Sequence, residues 1–379
     1  VKTRPLFLIA LSLAIASGYY FARRWENKPP SPDGVRFHRA SEAPQPSPRK
    51  EHVSAAADST EPSMPASRSA LLAVMDRVLA ALELGPNPVA LDELKRALLD
   101  GEPRQSIAAI LDFLAEGRDA PTGEDFAVGE RGTLANAPTL RVLLLDLLGQ
   151  LARTERSDVA AKVSRNLLES KGSADEWALA LRNVAWSDPS AKPYLAGKMR
   201  EMLAHEPWRT RPTAGMLEAF DVIVYTHDPT LVPDLAEVQR TGSRELQHAA
   251  AIALDRLAEQ GPLEVMTYLN THPTELADRP MLRADYYAKA DLSQIAQRAA
   301  LEVYLGRPDV TADEKLKLLK GLATPASFVA ENLLTEPPAP DDGAARRDAL
   351  AKAAADWIAA NRFPDLRAPL QQLQERLVP

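Results

Sequence analysis

From residue 69 onward, apolar residues recur at three- and four-residue steps and almost never alternate. Leu71, Leu72, Met75, Val78, Leu79 and Leu82 fall on one face of a 3.6-residue helix. The same spacing predicts helices over 89–99, 107–114, 140–151, 159–168 and 177–186. Further helices are predicted over 263–269, 292–305, 315–322 and 344–360. The β-branched cluster Val222-Ile223-Val224-Tyr225 ends a helical pattern that begins at Met216, and reads as a buried helix face. The fold class is all-α.

Helix starts are marked by capping chemistry. Ser173-x-x-Glu176 and Thr311-x-x-Glu314 have the form of capping boxes, in which the hydroxyl accepts from an early N–H and the carboxylate reaches back. Asp188-Pro189 and Asp228-Pro229 put a capping oxygen before a proline whose missing N–H costs nothing at the first helical position. The longest internal connection, 116–137, carries Gly117, Gly123, Gly129 and Gly132 and reads as disordered or loosely packed.

The helices also repeat. The segment from Asp188 to Leu195 matches that from Asp228 to Leu235 as D-P-[S/T]-x-x-P-x-L, and the caps Thr139, Ser173, Thr213 and Ser243 are 34, 40 and 30 residues apart. Periods of 30–40 residues, each holding two helices joined by short turns, predict stacked antiparallel helix pairs. Within them, Leu140-Arg141-x-x-Leu144-Leu145-x-Leu147-Leu148-Gly149-x-Leu151 and Leu246-Gln247-x-x-Ala250-Ala251-x-Ala253-Leu254-x-x-Leu257 resemble the second helix of a HEAT repeat. Gln247 stands where that pattern has Arg, and Asp255 where it has Gly. The resemblance, best over 135–260, implies a right-handed α-solenoid and carries no functional residues with it. Residues 344–379, with Trp357 and Ile358, are expected to form a C-terminal helical cap over the open end of the repeat domain 69–379.

The first 68 residues differ from the rest. Residues 6–22 are uncharged and are flanked by Lys2 and Arg4 on one side and Arg23 and Arg24 on the other. At about 1.5 Å per residue such a helix is near the lower limit for crossing a bilayer. Tyr19, Tyr20 and Trp25 cluster with Arg23 and Arg24 as interfacial anchors do. Segment 1–23 therefore reads as a single-pass anchor, with a cleaved signal peptide as the alternative. Residues 24–68 hold eight prolines and few apolar residues, which marks a disordered linker spanning roughly 35–40 Å.

Charge sharpens this division. The net charge of −7 is a balance of +6 over residues 1–50 and −13 over the remainder. The acidic body argues against nucleic acid as the partner and favours a basic protein segment. The basic head running directly into an apolar stretch suggests an inner (plasma) membrane location with the body facing the periplasm or exterior. The Lys/Arg count after the span points to the alternative, a cytoplasmic body. No Cys is present, which excludes disulfides and Cys-ligated metal.

Candidate chemistry is sparse. The sequence contains no G-x-S-x-G, phosphate-binding loop, H-E-x-x-H or dinucleotide fingerprint. Its six histidines are scattered, and no catalytic, cofactor or metal residue is assigned. Trp208, Arg209 and Arg211 read as an exposed turn with a packed Trp. Expectation therefore falls on a membrane-tethered scaffold or adaptor that binds protein through a groove lined by Arg141, Gln247 and His248. An envelope hydrolase with a dispersed site and a passive spacer are the alternatives.

Overall fold

A computed structural model describes residues 67–324, 332–336 and 343–377. The predicted membrane anchor with Tyr19, Tyr20, Arg23, Arg24 and Trp25, and the proline-rich linker as far as residue 66, lie outside them. No helix among the described residues is long and apolar enough to cross a membrane.

The described chain is all-helical apart from one hairpin. Helices α1 (Arg68–Glu83), α2 (Pro88–Leu99) and α3 (Pro103–Ala115) lead into a two-stranded antiparallel pair, β1 (Ala127–Val128) and β2 (Leu134–Asn136). Next come α4 (Leu140–Thr154), α5 (Val159–Leu167), α6 (Ala174–Ser187), α7 (Lys192–Ala204) and the short α8 (Glu206–Thr210). They are followed by α9 (Ala214–Glu218), α10 (Phe220–Thr226), α11 (Val232–Thr241), α12 (Arg244–Gln260) and α13 (Pro262–Thr271). The last are α14 (Pro280–Tyr287), α15 (Ile295–Leu305), α16 (Ala312–Ala323), α17 (Gly343–Ala359) and α18 (Arg367–Leu377).

All four predicted repeat caps act as caps. The hydroxyls of Thr139, Ser173, Thr213 and Ser243 accept from the amides of Val142, Glu176, Met216 and Leu246, starting α4, α6, α9 and α12. Those helices pack on one another in sequence order, with α10 continuing α9, and α14 and α16 extend the row. Asp188 and Asp228 accept from Ser190 N and Thr230 N, each at 3.0 Å. Each thereby opens a 3-10 turn that runs into α7 or α11. The capping boxes form only by half. Glu176 turns to Arg141 and Glu314 to Arg283, because a cation on the neighbouring helix is a stronger partner for a carboxylate than its own cap amide.

Neighbours within the row run parallel. Between α4 and α6, Arg141 meets Glu176, Asp146 meets Arg182, and Gly149 faces Asn183, at sequence offsets of 35, 36 and 34. Between α14 and α16, Arg283 meets Glu314, Asp285 meets Lys317, and Ala288 faces Gly321, at offsets of 31, 32 and 33. An offset that stays nearly constant while both helices advance requires both to advance the same way. The intervening α5, α7, α11 and α13 pack against this row and return the chain between its members. Val222, Ile223 and Val224 are wholly buried in α10 where the two sets meet.

Close approach of α4 and α6 depends on Gly149. A Cβ there would lie 2.2 Å from Asn183 Oδ1 and 3.0 Å from Arg182 Nη2. The clash opposes the gain in helix propensity, so G149A should lower stability by about 1–2 kcal/mol net. A urea midpoint equal to or above that of the parent chain would refute this close-packing account.

The 116–137 connection is folded, contrary to the reading of its glycines. Thr122 Oγ1 donates to Ala137 O, Pro121 bridges to Thr139, and Asp119 Oδ1 accepts from Arg141 N at 2.9 Å. Ala120, Phe126 and Ala137 are buried, with Phe126 against Gly215 at the start of α9. The loop thus lies across the row from α4 to α9.

At the far end α17 packs against α16 and α18. Its Trp357 is buried, with Nε1 donating to Glu302 Oε1 at 2.6 Å, while Arg298 pairs with Asp356 at 3.0 Å.

Candidate functional site: buried Asp–Arg clamps on the helix row

The row carries charges where its helices are most apolar. Asp146 interrupts a leucine-rich run in α4, Arg182 an alanine- and leucine-rich run in α6, and Asp221 precedes the buried Val222-Ile223-Val224. Such positions tolerate a charge only when it is paired and hydrogen-bonded. Both requirements are met, and in each case part of the partnership is backbone from a crossing segment.

In the first clamp, Arg182 Nη1 donates to Asp146 Oδ1 at 2.5 Å and to Gly132 O at 2.8 Å. Asp146 Oδ1 also accepts from Leu134 N at 3.2 Å, and Oδ2 from Gln150 at 2.8 Å. Asn183 Oδ1 receives Arg182 Nη2 at 2.9 Å, and its amide donates to Leu145 O at 3.0 Å. The guanidinium lies 4.0 Å from the Trp186 ring centre. Full burial pulls the Arg182 pKa down, an effect opposed by the Asp146 charge.

The second clamp repeats the first further along the row. Arg256 of α12 pairs with Asp221 of α10 at 2.8 Å, and both side chains are 4% exposed. Asp221 Oδ2 accepts from Leu334 N at 2.7 Å and Thr335 N at 2.9 Å. The Thr335 hydroxyl donates to Asp221 Oδ1 and receives Arg256 Nη2. Leu333 is fully buried, and its carbonyl faces Gly132 of the first clamp, where a Cβ would lie 2.0 Å away. Gly132, at φ 76°, supplies both a left-handed turn and the space for that carbonyl.

A third buried pair, Arg283–Glu314 at 2.7 Å, joins α14 to α16. The Tyr304 hydroxyl donates to Glu314 and Arg283 Nη1 donates to Pro273 O at 3.1 Å. Burial pushes the Tyr304 phenol well up, with the Glu314 charge adding to the shift.

The sequence-predicted groove residues occupy the first turns of row helices. Arg141 donates to Glu176 at 2.9 Å and to Leu114 O at 3.0 Å. It lines a cleft of about 370 Å³ whose other walls include Leu111, Leu114, Leu145, Val163 and Leu167. Gln247 and His248 are exposed at the start of α12, where Gln247 Nε2 donates to Gly242 O at 3.0 Å. Helices α6 and α9 stand between α4 and α12 in the row, so Arg141 is not brought together with the other two. Trp208 is packed, in keeping with the sequence reading, but it sits on the short helix α8 and not on a turn. Among the described residues, no three His, Asp or Glu side chains converge as a metal site.

Asp146, Arg182, Asp221 and Arg256 escaped the sequence reading, although a signal existed. Asp146, Arg182 and Asp221 are lone charges in apolar helical runs, Arg256 stands beside Asp255 in one, and the two pairs are separated by 36 and 35 residues, within the range of the repeat spacing. Comparison of the chain with family models, with curated proteins and with solved structures finds no match.

Proposed function

We propose that this protein is a membrane-tethered, HEAT-like α-solenoid acting as a scaffold or adaptor for protein partners in the cell envelope. The observation that carries the reading is the repeated register of parallel helices, with side-chain pairs at 31–36 residues between row neighbours. A stack built in this way presents a long surface suited to peptides or partner domains, and its terminal unit needs a cover such as α17 and α18 provide. The acidic body favours a basic partner segment and association that weakens with salt. Residues 1–23 serve as the single-pass anchor and 24–68 as the spacer, with the body on the periplasmic or exterior side.

The test is proximity labelling from the C-terminus of the full chain, compared with a chain lacking 69–379 but keeping the anchor. The expected result is a small set of envelope proteins labelled only when the body is present, fewer of them at high salt. Identical neighbours with and without the body would sink the scaffold reading.

A further inference from the structure

The second clamp has the construction of a peptide site. Its floor is a buried carboxylate and a buried guanidinium, both aimed at a segment that belongs to neither of their helices. That segment, 332–336, is gripped chiefly by its backbone. Asp221 Oδ2 takes two successive amides, the Thr335 hydroxyl sits between Asp221 and Arg256, and Leu333 is the one fully buried side chain. Asn332 Nδ2 donates to Thr335 O at 3.2 Å and holds the segment in a bend. Gly132 completes the cradle by leaving room for the Leu333 carbonyl.

We propose that the Asp221–Arg256 clamp is a recognition site for bent Leu-x-Ser/Thr segments, and that 332–336 is its occupant in cis. A partner protein presenting the same Leu-x-Ser/Thr bend replaces it, so the chain's own segment regulates access. The chemistry of the floor dictates this choice of occupant. Removal of the segment leaves a buried carboxylate oxygen without its two amide donors and Arg256 without its hydroxyl acceptor, a state that burial makes costly. An incoming group therefore has to bring two adjacent N–H donors, a hydroxyl and an aliphatic side chain at the same spacing. Neither a purely apolar helix nor a nucleic acid supplies that whole combination. The inference rests on the scaffold reading for the existence of a partner, but the site itself rests only on the geometry above.

The probe is a fluorescent, end-blocked peptide, Asn-Leu-Leu-Thr-Glu, titrated by anisotropy against the full chain and against L333D, in which an unpaired carboxylate at a fully buried apolar position expels the cis segment. L333D is expected to bind the peptide at least about tenfold more tightly than the parent chain. Replacing the peptide's Thr by Val, or methylating its third and fourth backbone amides, is expected to weaken binding to L333D by about tenfold or more, because each change orphans a buried group. T335A, which loosens the segment without adding charge, should show an affinity between those of the parent and L333D. Equal affinity for parent and L333D, or indifference to the Val and methylated peptides, overturns the proposal. Loss of the helical circular dichroism signal in both L333D and T335A overturns it as well, since a segment essential for folding is no exchangeable ligand. The titration uses neither membrane nor partner, so its failure leaves the labelling experiment standing, and the reverse also holds.

Discussion

Replacing Arg182 by Ala should lower the unfolding free energy by about 3–5 kcal/mol, the range for breaking a buried ion pair from one side. The substitution leaves Asp146, 1% exposed, with its charge but without its counter-ion. It also strips Gly132 O of its donor and Asn183 of two of its bonds. Equilibrium urea unfolding measures the loss. Amide exchange at Leu134, whose N–H is held by Asp146, measures the release of the hairpin. The double variant D146L/R182M is expected to recover more than half of the stability, because two apolar side chains carry no desolvation penalty. Fast exchange at Leu134 is expected in it even so, since D146L removes the carboxylate that accepts from that N–H. If R182A is as stable as the parent chain, the clamp contributes nothing to the fold.

Trp177→Ala is the second large effect, expected at about 3–5 kcal/mol for a buried Trp truncated to a methyl. The ring is wholly buried in α6, donates Nε1–H to Ser170 O at 2.5 Å, and meets Trp208 edge-on at 5.2 Å between ring centres. Truncation therefore opens a cavity, orphans a carbonyl and removes the surface on which the short α8 rests. Trypsin should consequently cut after Arg209 several-fold faster in W177A under native conditions, whereas the Arg211-Pro212 bond is resistant to it. W177F keeps much of the packing but loses the hydrogen bond and part of the ring volume, so its expected loss is smaller than that of W177A, about 1–3 kcal/mol. Equal losses in W177A and W177F would mean that the hydrogen bond alone matters and that the packing argument fails.

Local signals in this chain were legible and long-range ones were not. Thr139, Ser173, Thr213 and Ser243 could be named as caps because a cap is decided within four residues. The helices themselves follow from apolar spacing for the same reason. The order of the 116–137 loop depends instead on Arg182 and Leu333, remote groups that no local pattern announces. The glycines there look permissive, but Gly132 is required by a carbonyl from the far part of the chain. The capping boxes failed by half because Arg141 and Arg283 claim the carboxylates of Glu176 and Glu314 across helices. Of the candidate site, Arg141 was visible through its place in the repeat pattern. The clamp residues stayed hidden because a charge inside an apolar run resembles an interruption until its partner one repeat away is seen.

The meeting of Gly132 with the Leu333 carbonyl has a kinetic meaning. A row of helices touching only nearest neighbours can fold from any point and spread step by step. The Gly132–Leu333 contact instead ties two points far apart in sequence, and loop closure over such a span costs on the order of 5 kcal/mol of chain entropy. That contact should therefore form after the helices between its ends have stacked and shortened the distance to be closed. The two crossing segments then act as a latch, set last and opened first, so that refolding of the body has a slow final phase which a chain without 332–336 would skip.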